Sequence, residues 1–166
     1  MTEGQVLMTV LCLAAFLALS YFTRAPGLRM VGAAGAGAAI GIVALLALEV
    51  GEAQGWWTVP RARVAFFRST FCLAFVVQCA PLYLITWRVA HRAGAVGLAL
   101  CVAAAAILGP ARDYAFGAVF PNWIVFSPGI APLLALAVAY ALLVAVGHAV
   151  MRTVAGPSQR GLARQG

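Results

Sequence analysis

Lysine is absent from this chain, and acids nearly so. Eleven arginines stand against Glu3, Glu49, Glu52 and Asp113, for a formal charge of +7. Only 9% of the 166 residues are charged, where a soluble domain carries about a quarter. With 64% hydrophobic residues and a mean hydropathy of +1.00, the chain has too little polar surface to cover itself in water. That excludes an ordinary soluble domain and predicts an integral membrane protein whose solvent is the lipid bilayer.

Paired cysteines are missing too. Cys12, Cys72, Cys79 and Cys101 lie in apolar runs without a CxxC. Cys72 and Cys79 fall about 10 Å apart along a helix, farther than a disulfide allows. They read as small buried hydrophobes. No G-x-S-x-G, H-E-x-x-H or P-loop occurs, so serine-nucleophile, zinc-protease and phosphate-loop chemistry have no motif. The pI near 10.1 does not imply nucleic acid, because the arginines stand at segment ends rather than in one patch. Arginine without lysine, beside abundant alanine and glycine, fits a GC-rich bacterial sequence and points to the inner (plasma) membrane.

What the chain does have is long apolar runs. They predict an all-α fold, a compact bundle of about five transmembrane helices over residues 5–23, 30–50, 64–87, 94–109 and 128–151. These form one domain over 1–151, with an interfacial cap at 110–127 on the outer face and a mobile cytoplasmic tail at 152–166. Glu3 is the only charge before the first run, which therefore reads as a retained helix and not a cleaved signal. Under this division Arg24, Arg29, Arg88, Arg92, Arg152, Arg160 and Arg164 share one side without any acid, and all four acids share the other. That asymmetry predicts a cytoplasmic C-terminus and an outside N-terminus.

Three finer expectations concern packing. Ala33, Gly37 and Gly41 make a small-residue row on the second span that admits a close helix, either within the chain or across a homodimer. The Ala103–Ala106 run is a candidate to fill it. Arg68, Cys72, Phe75, Cys79 and Thr86 share a stripe on the third span that should face the bundle interior, with Pro81 as a candidate kink. Ser127 and Pro128 read as the N-cap and first residue of the last helix, and the Trp56–Trp57 pair as a headgroup-level anchor.

The segment GPARDYAFGAVFPNWIVFSPGIAP over 109–132 breaks the apolar pattern with four prolines and five aromatics. Phe116, Phe120 and Trp123 recur at helical spacing there, suggesting a turn in the interface. With the second–third hairpin this segment gathers Glu49, Glu52, Arg61, Arg63, Arg68, Arg112 and Asp113. Glu49 is the natural partner of Arg68, and Glu52 or Asp113 that of Arg112. Glu49, Glu52 and Asp113 are the candidate catalytic acids, and Arg61, Arg63, Arg68 and Arg112 the candidate anion or headgroup holders. His91 and His148, both near the opposite helix ends, are weak metal or haem candidates. No cofactor is specified.

Two functions compete. The favoured one is a non-catalytic accessory or binding subunit that packs against another membrane protein, a lipid or a pigment. The alternative is a membrane-embedded enzyme acting on a lipid or isoprenoid near the outer leaflet, with a buried carboxylate as general acid. The first is favoured because no carboxylate pair stands at motif-grade spacing.

Overall fold

A computed structural model describes residues 3–60, 67–120 and 123–156. Four helices account for most of them: α1 (Glu3–Thr23), α2 (Gly27–Ala53), α3 (Phe67–Val119) and α4 (Ala131–Ala155). Two short strands, β1 (Trp57–Thr58) and β2 (Val125–Phe126), pair antiparallel, Trp57 opposite Phe126 and Thr58 opposite Val125. Among the described residues α2, α3 and α4 are long and apolar enough to cross a membrane, and α1 contributes a shorter apolar stretch, Val10–Thr23.

Helix α3 has 53 residues, which in one straight helix would run about 80 Å. It does not run straight. Gly94 sits at φ 62° and ψ −144°, inside the helix but outside helical dihedral space, in a region that only glycine occupies without strain. Phe67 at one end and Tyr114 near the other both pack on the cluster of Trp57, Val59, Ile124 and Leu136. The chain therefore turns back at Gly94, giving limbs 67–93 and 95–119 side by side. Gly97 lies so close to Ala93 and Val89 that a Cβ there would come within 2.8 Å of the alanine methyl carbon.

Several element boundaries differ from those read in the sequence. Gly109–Pro110 does not end a helix, since the second limb continues through Arg112 and Asp113 to Val119. Pro81 and Pro110 lie within α3, and the non-helical backbone falls at Gly94 instead. Pro81 is buried against the bundle, where neighbouring helices support the turn that lost a hydrogen bond. Ser127 and Pro128 do not open the last helix. The Ser127 amide donates to the Trp56 carbonyl at 2.9 Å and its hydroxyl donates to that of Gly55. Gly129, at φ 113°, then turns the chain before α4 starts at Ala131.

Two apolar clusters hold the bundle. In one, Ala33, Ala36 and Ile40 of α2 meet Ala80, Tyr83, Leu84 and Trp87 of α3 and Met151 of α4. The small-residue row of α2 meets a different segment from the one expected. A Cβ on Gly37 would stand 2.8 Å from the Val76 carbonyl oxygen, and one on Gly41 3.3 Å from Cys72 Cα. The backbone of the first α3 limb thus fills the row, and Ala103 and Ala104 are exposed instead. The other cluster closes the opposite end around Trp57, which is 3% exposed and sits directly on Gly51. Trp57 is a buried plug, not a headgroup anchor, and its indole N–H donates to the Leu48 carbonyl at 3.2 Å.

Candidate functional site

The end closed by Trp57 is where the acids gather. Strands β1 and β2 stitch the segment after α2 to the segment before α4. Phe126 stacks on Tyr114 of α3 with centroids 4.2 Å apart and planes 15° from parallel, and meets Trp57 edge-on at 6.4 Å. The spacing of Phe116, Phe120 and Trp123 brings their rings into contact, 4.6 Å from Phe116 to Phe120 and 6.0 Å to Trp123. This aromatic lid fixes the backbone that carries the charged groups.

Glu49 and Arg68 pair across α2 and α3 at 2.6 Å, as their sequence positions predict. Their side chains are 49% and 74% exposed, so the pair lies on the outside of the bundle. The stripe through Arg68 therefore turns inward only further along, at Phe75 and Cys79, which pack on the core, and at fully buried Thr86. Glu52 reaches no arginine among the described residues. Its carboxylate accepts the Val59 amide at 2.8 Å and so ties the β1 segment to the end of α2.

Arg112 takes Asp113, its neighbour, rather than Glu52. Its guanidinium donates twice to Asp113 Oδ1, at 2.7 and 3.1 Å, and also donates to the Tyr140 hydroxyl. That hydroxyl in turn donates to Asp113 Oδ2 at 2.7 Å. The guanidinium carbon also lies 5.6 Å from the centre of the Tyr140 ring, a distance at which cation and ring attract. Tyr140 can reach across because Gly109 has no side chain: a Cβ there would overlap the ring. Sequence reasoning missed Tyr140 as a member of this site. A tyrosine in an otherwise apolar run was the available signal, since a buried phenol needs a partner.

Each described acid candidate is therefore engaged by a named partner. Arg61 and Arg63 lie outside the described residues. Two openings bear on what could enter. One, of about 60 Å³, is lined by Phe67, Phe71, Phe75, Gln78 and Trp123 among others. That is far below the roughly 300 Å³ at which small-molecule sites begin. A wider, open cleft of about 610 Å³ lies beside Ser20, Tyr21, Phe22 and Arg24. Among the described residues no carboxylate lines either one.

The histidines lie near the other end and serve different neighbours. Thr86 donates its hydroxyl to the Tyr83 carbonyl, so towards His148 Nδ1, 3.4 Å away, it is the acceptor. His91 lies against Trp87 with centroids 6.1 Å apart. Among the described residues no group of three or more His, Cys, Asp or Glu converges as metal ligands. Family models, curated proteins and solved structures were all compared with the chain, and none matches it.

Proposed function

We propose that this chain is a multi-pass membrane protein of five passes, α3 supplying two of them, that serves as a non-catalytic accessory subunit. It would hold another membrane protein, a lipid or a pigment against its apolar outer faces. The expected setting is the bacterial inner membrane, with the N-terminus outside and the C-terminus cytoplasmic. One observation carries the reading: Glu49, Glu52 and Asp113 each close a structural tie and none lines either of the two openings. A general acid needs a proton to give and room for a substrate beside it. The ties instead hold the aromatic end rigid. Large apolar side chains remain exposed on every helix, among them Leu17 and Phe22 on α1, Ile42 and Leu46 on α2, Ile107 on α3 and Val138 on α4. Those faces suit lipid or a partner helix.

Mild-detergent purification from native membranes tests this, read by mass spectrometry and an absorbance spectrum. A stoichiometric protein partner, lipid or pigment that persists in Asp113→Asn and Glu49→Gln is the expected result. A lone chain that turns over a lipid or isoprenoid, and loses that turnover in a folded Asp113→Asn variant, would make it an enzyme.

A further inference from the structure

The first limb of α3 carries one carboxamide among apolar neighbours. Gln78 stands about 16 Å along the limb from Phe67 and about 22 Å from Ala93. In a limb that spans a bilayer it therefore comes near the middle of a ~30 Å hydrocarbon core. Its side chain is half-buried, and among the described residues it makes no hydrogen bond. Other polar side chains of the same limb are answered within the bundle. The Tyr83 hydroxyl donates to the Leu143 carbonyl at 3.0 Å, and that of Thr86 donates to the Tyr83 carbonyl at 3.0 Å.

Spacings of three and four residues put Phe71, Ala74, Gln78, Leu82 and Ile85 on one face of the limb. The first four are half-buried and Ile85 is exposed. The opposite face, with Ala80, Tyr83 and Trp87, is the one buried in the bundle. Val76 and Cys72, which meet the glycines of α2, also point away from the Gln78 face. Beside Phe71 this face borders the opening of about 60 Å³. That recess is too small for a ligand, but it suits the tip of one side chain from a facing helix.

An unmet amide in hydrocarbon is costly, and acyl chains can neither donate to it nor accept from it. A carboxamide does both, through its NH2 and its oxygen. A second copy inserted in the same sense carries its own Gln78 at the same depth. A two-fold axis along the membrane normal then sets donor against acceptor on both sides at once. Interhelical hydrogen bonds of this kind join helices in membranes, and small residues beside them let the backbones approach. Ala74, one turn from Gln78 on the same face, is such a residue. We infer that this chain forms a parallel homodimer through the Gln78 face of the first α3 limb, the two carboxamides bonding to each other across the axis. The inference rests on the proposed membrane setting and not on the accessory role, since an enzyme could pair in the same way.

The test uses the full chain, labelled at its C-terminus with donor or acceptor dye and reconstituted in phosphatidylcholine vesicles over a range of protein-to-lipid ratios. Energy transfer should report a dimer. Gln78→Leu should weaken association about tenfold at unchanged helix content by circular dichroism, and Gln78→Asn, which keeps an amide, should weaken it less. With the four cysteines replaced by serine, Ala74→Cys should cross-link to itself on oxidation, and Val138→Cys on α4 should not. A folded Gln78→Leu that associates like the parent, or Val138→Cys that links as readily as Ala74→Cys, overturns the dimer face. Capture of a different protein by Ala74→Cys in native membranes, in place of a second copy, overturns the homodimer. Release of the parent chain from membranes by alkaline carbonate overturns the membrane setting itself, a failure distinct from that of a chain that stays in the membrane as a monomer.

Discussion

The Tyr140 hydroxyl of α4 donates to the Asp113 carboxylate of α3 at 2.7 Å, and Arg112 donates to both partners. Three polar side chains from two helices thus satisfy one another, with Asp113 22% exposed between the other two. Removing one member strands the others, which costs more than the net worth of a hydrogen bond. Tyr140→Phe should therefore lower stability by about 1–3 kcal/mol, and Asp113→Asn by a similar amount. A double-mutant cycle of the two, read by unfolding in mild detergent, should show clear coupling. Additive losses would mean the three groups do not act as a unit.

The exposed Glu49–Arg68 pair should behave differently. Both side chains are largely in reach of solvent or headgroups, and such pairs are worth about 0–1 kcal/mol. Glu49→Gln should leave the unfolding midpoint almost unchanged, and salt should erase what difference remains. A loss as large as that of Tyr140→Phe would show that the pair is more enclosed than its exposure implies.

Glycines sort into those that touch and those that do not. Gly147 lies against the Tyr83 ring and Gly37 against the Val76 backbone, whereas no atom stands within 4 Å of a Cβ placed on Gly35. Gly147→Ala and Gly37→Ala should destabilise by about 1–3 kcal/mol through overpacking. Gly35→Ala lies mid-helix in open space and should stabilise by up to about 1 kcal/mol. Thermal unfolding of the three variants side by side checks the sign of each.

The reversal at Gly94 has a topological consequence. With the four cysteines replaced by serine, single cysteines at Arg92 and at Gln54, both exposed, should react with a membrane-impermeant maleimide from opposite sides of the membrane. A cysteine at Phe120 should react from the same side as Gln54. If Arg92 and Phe120 label from one side, α3 does not turn back within the bilayer. Gly94→Ala should also lower stability by about 1–3 kcal/mol, since its dihedrals strain any residue with a Cβ.

Composition and periodicity alone were enough for the helices and for their length and apolar character. A chain with this little charge must bury its backbone in helices if it lies in lipid, and the apolar runs mark where most of them are. The small-residue row at Ala33, Gly37 and Gly41 was legible because spacing by four on a helix fixes a face whatever lies beyond it. Glu49 and Arg68 were legible as a pair because one stands near the end of a span and the other near the start of the next, which brings them to the same end of the bundle. What covers a face is another matter. Whether Val76 or Ala103 fills the row, whether Gly94 or Pro81 breaks α3, and whether Ser127 caps a helix or bonds to Gly55 are decided by contacts between segments far apart in sequence. The same holds for Tyr140, which joins Asp113 only because Gly109, on a different helix, leaves space for its ring. Local pattern sets which faces must be hidden, and tertiary packing selects the partner that hides them.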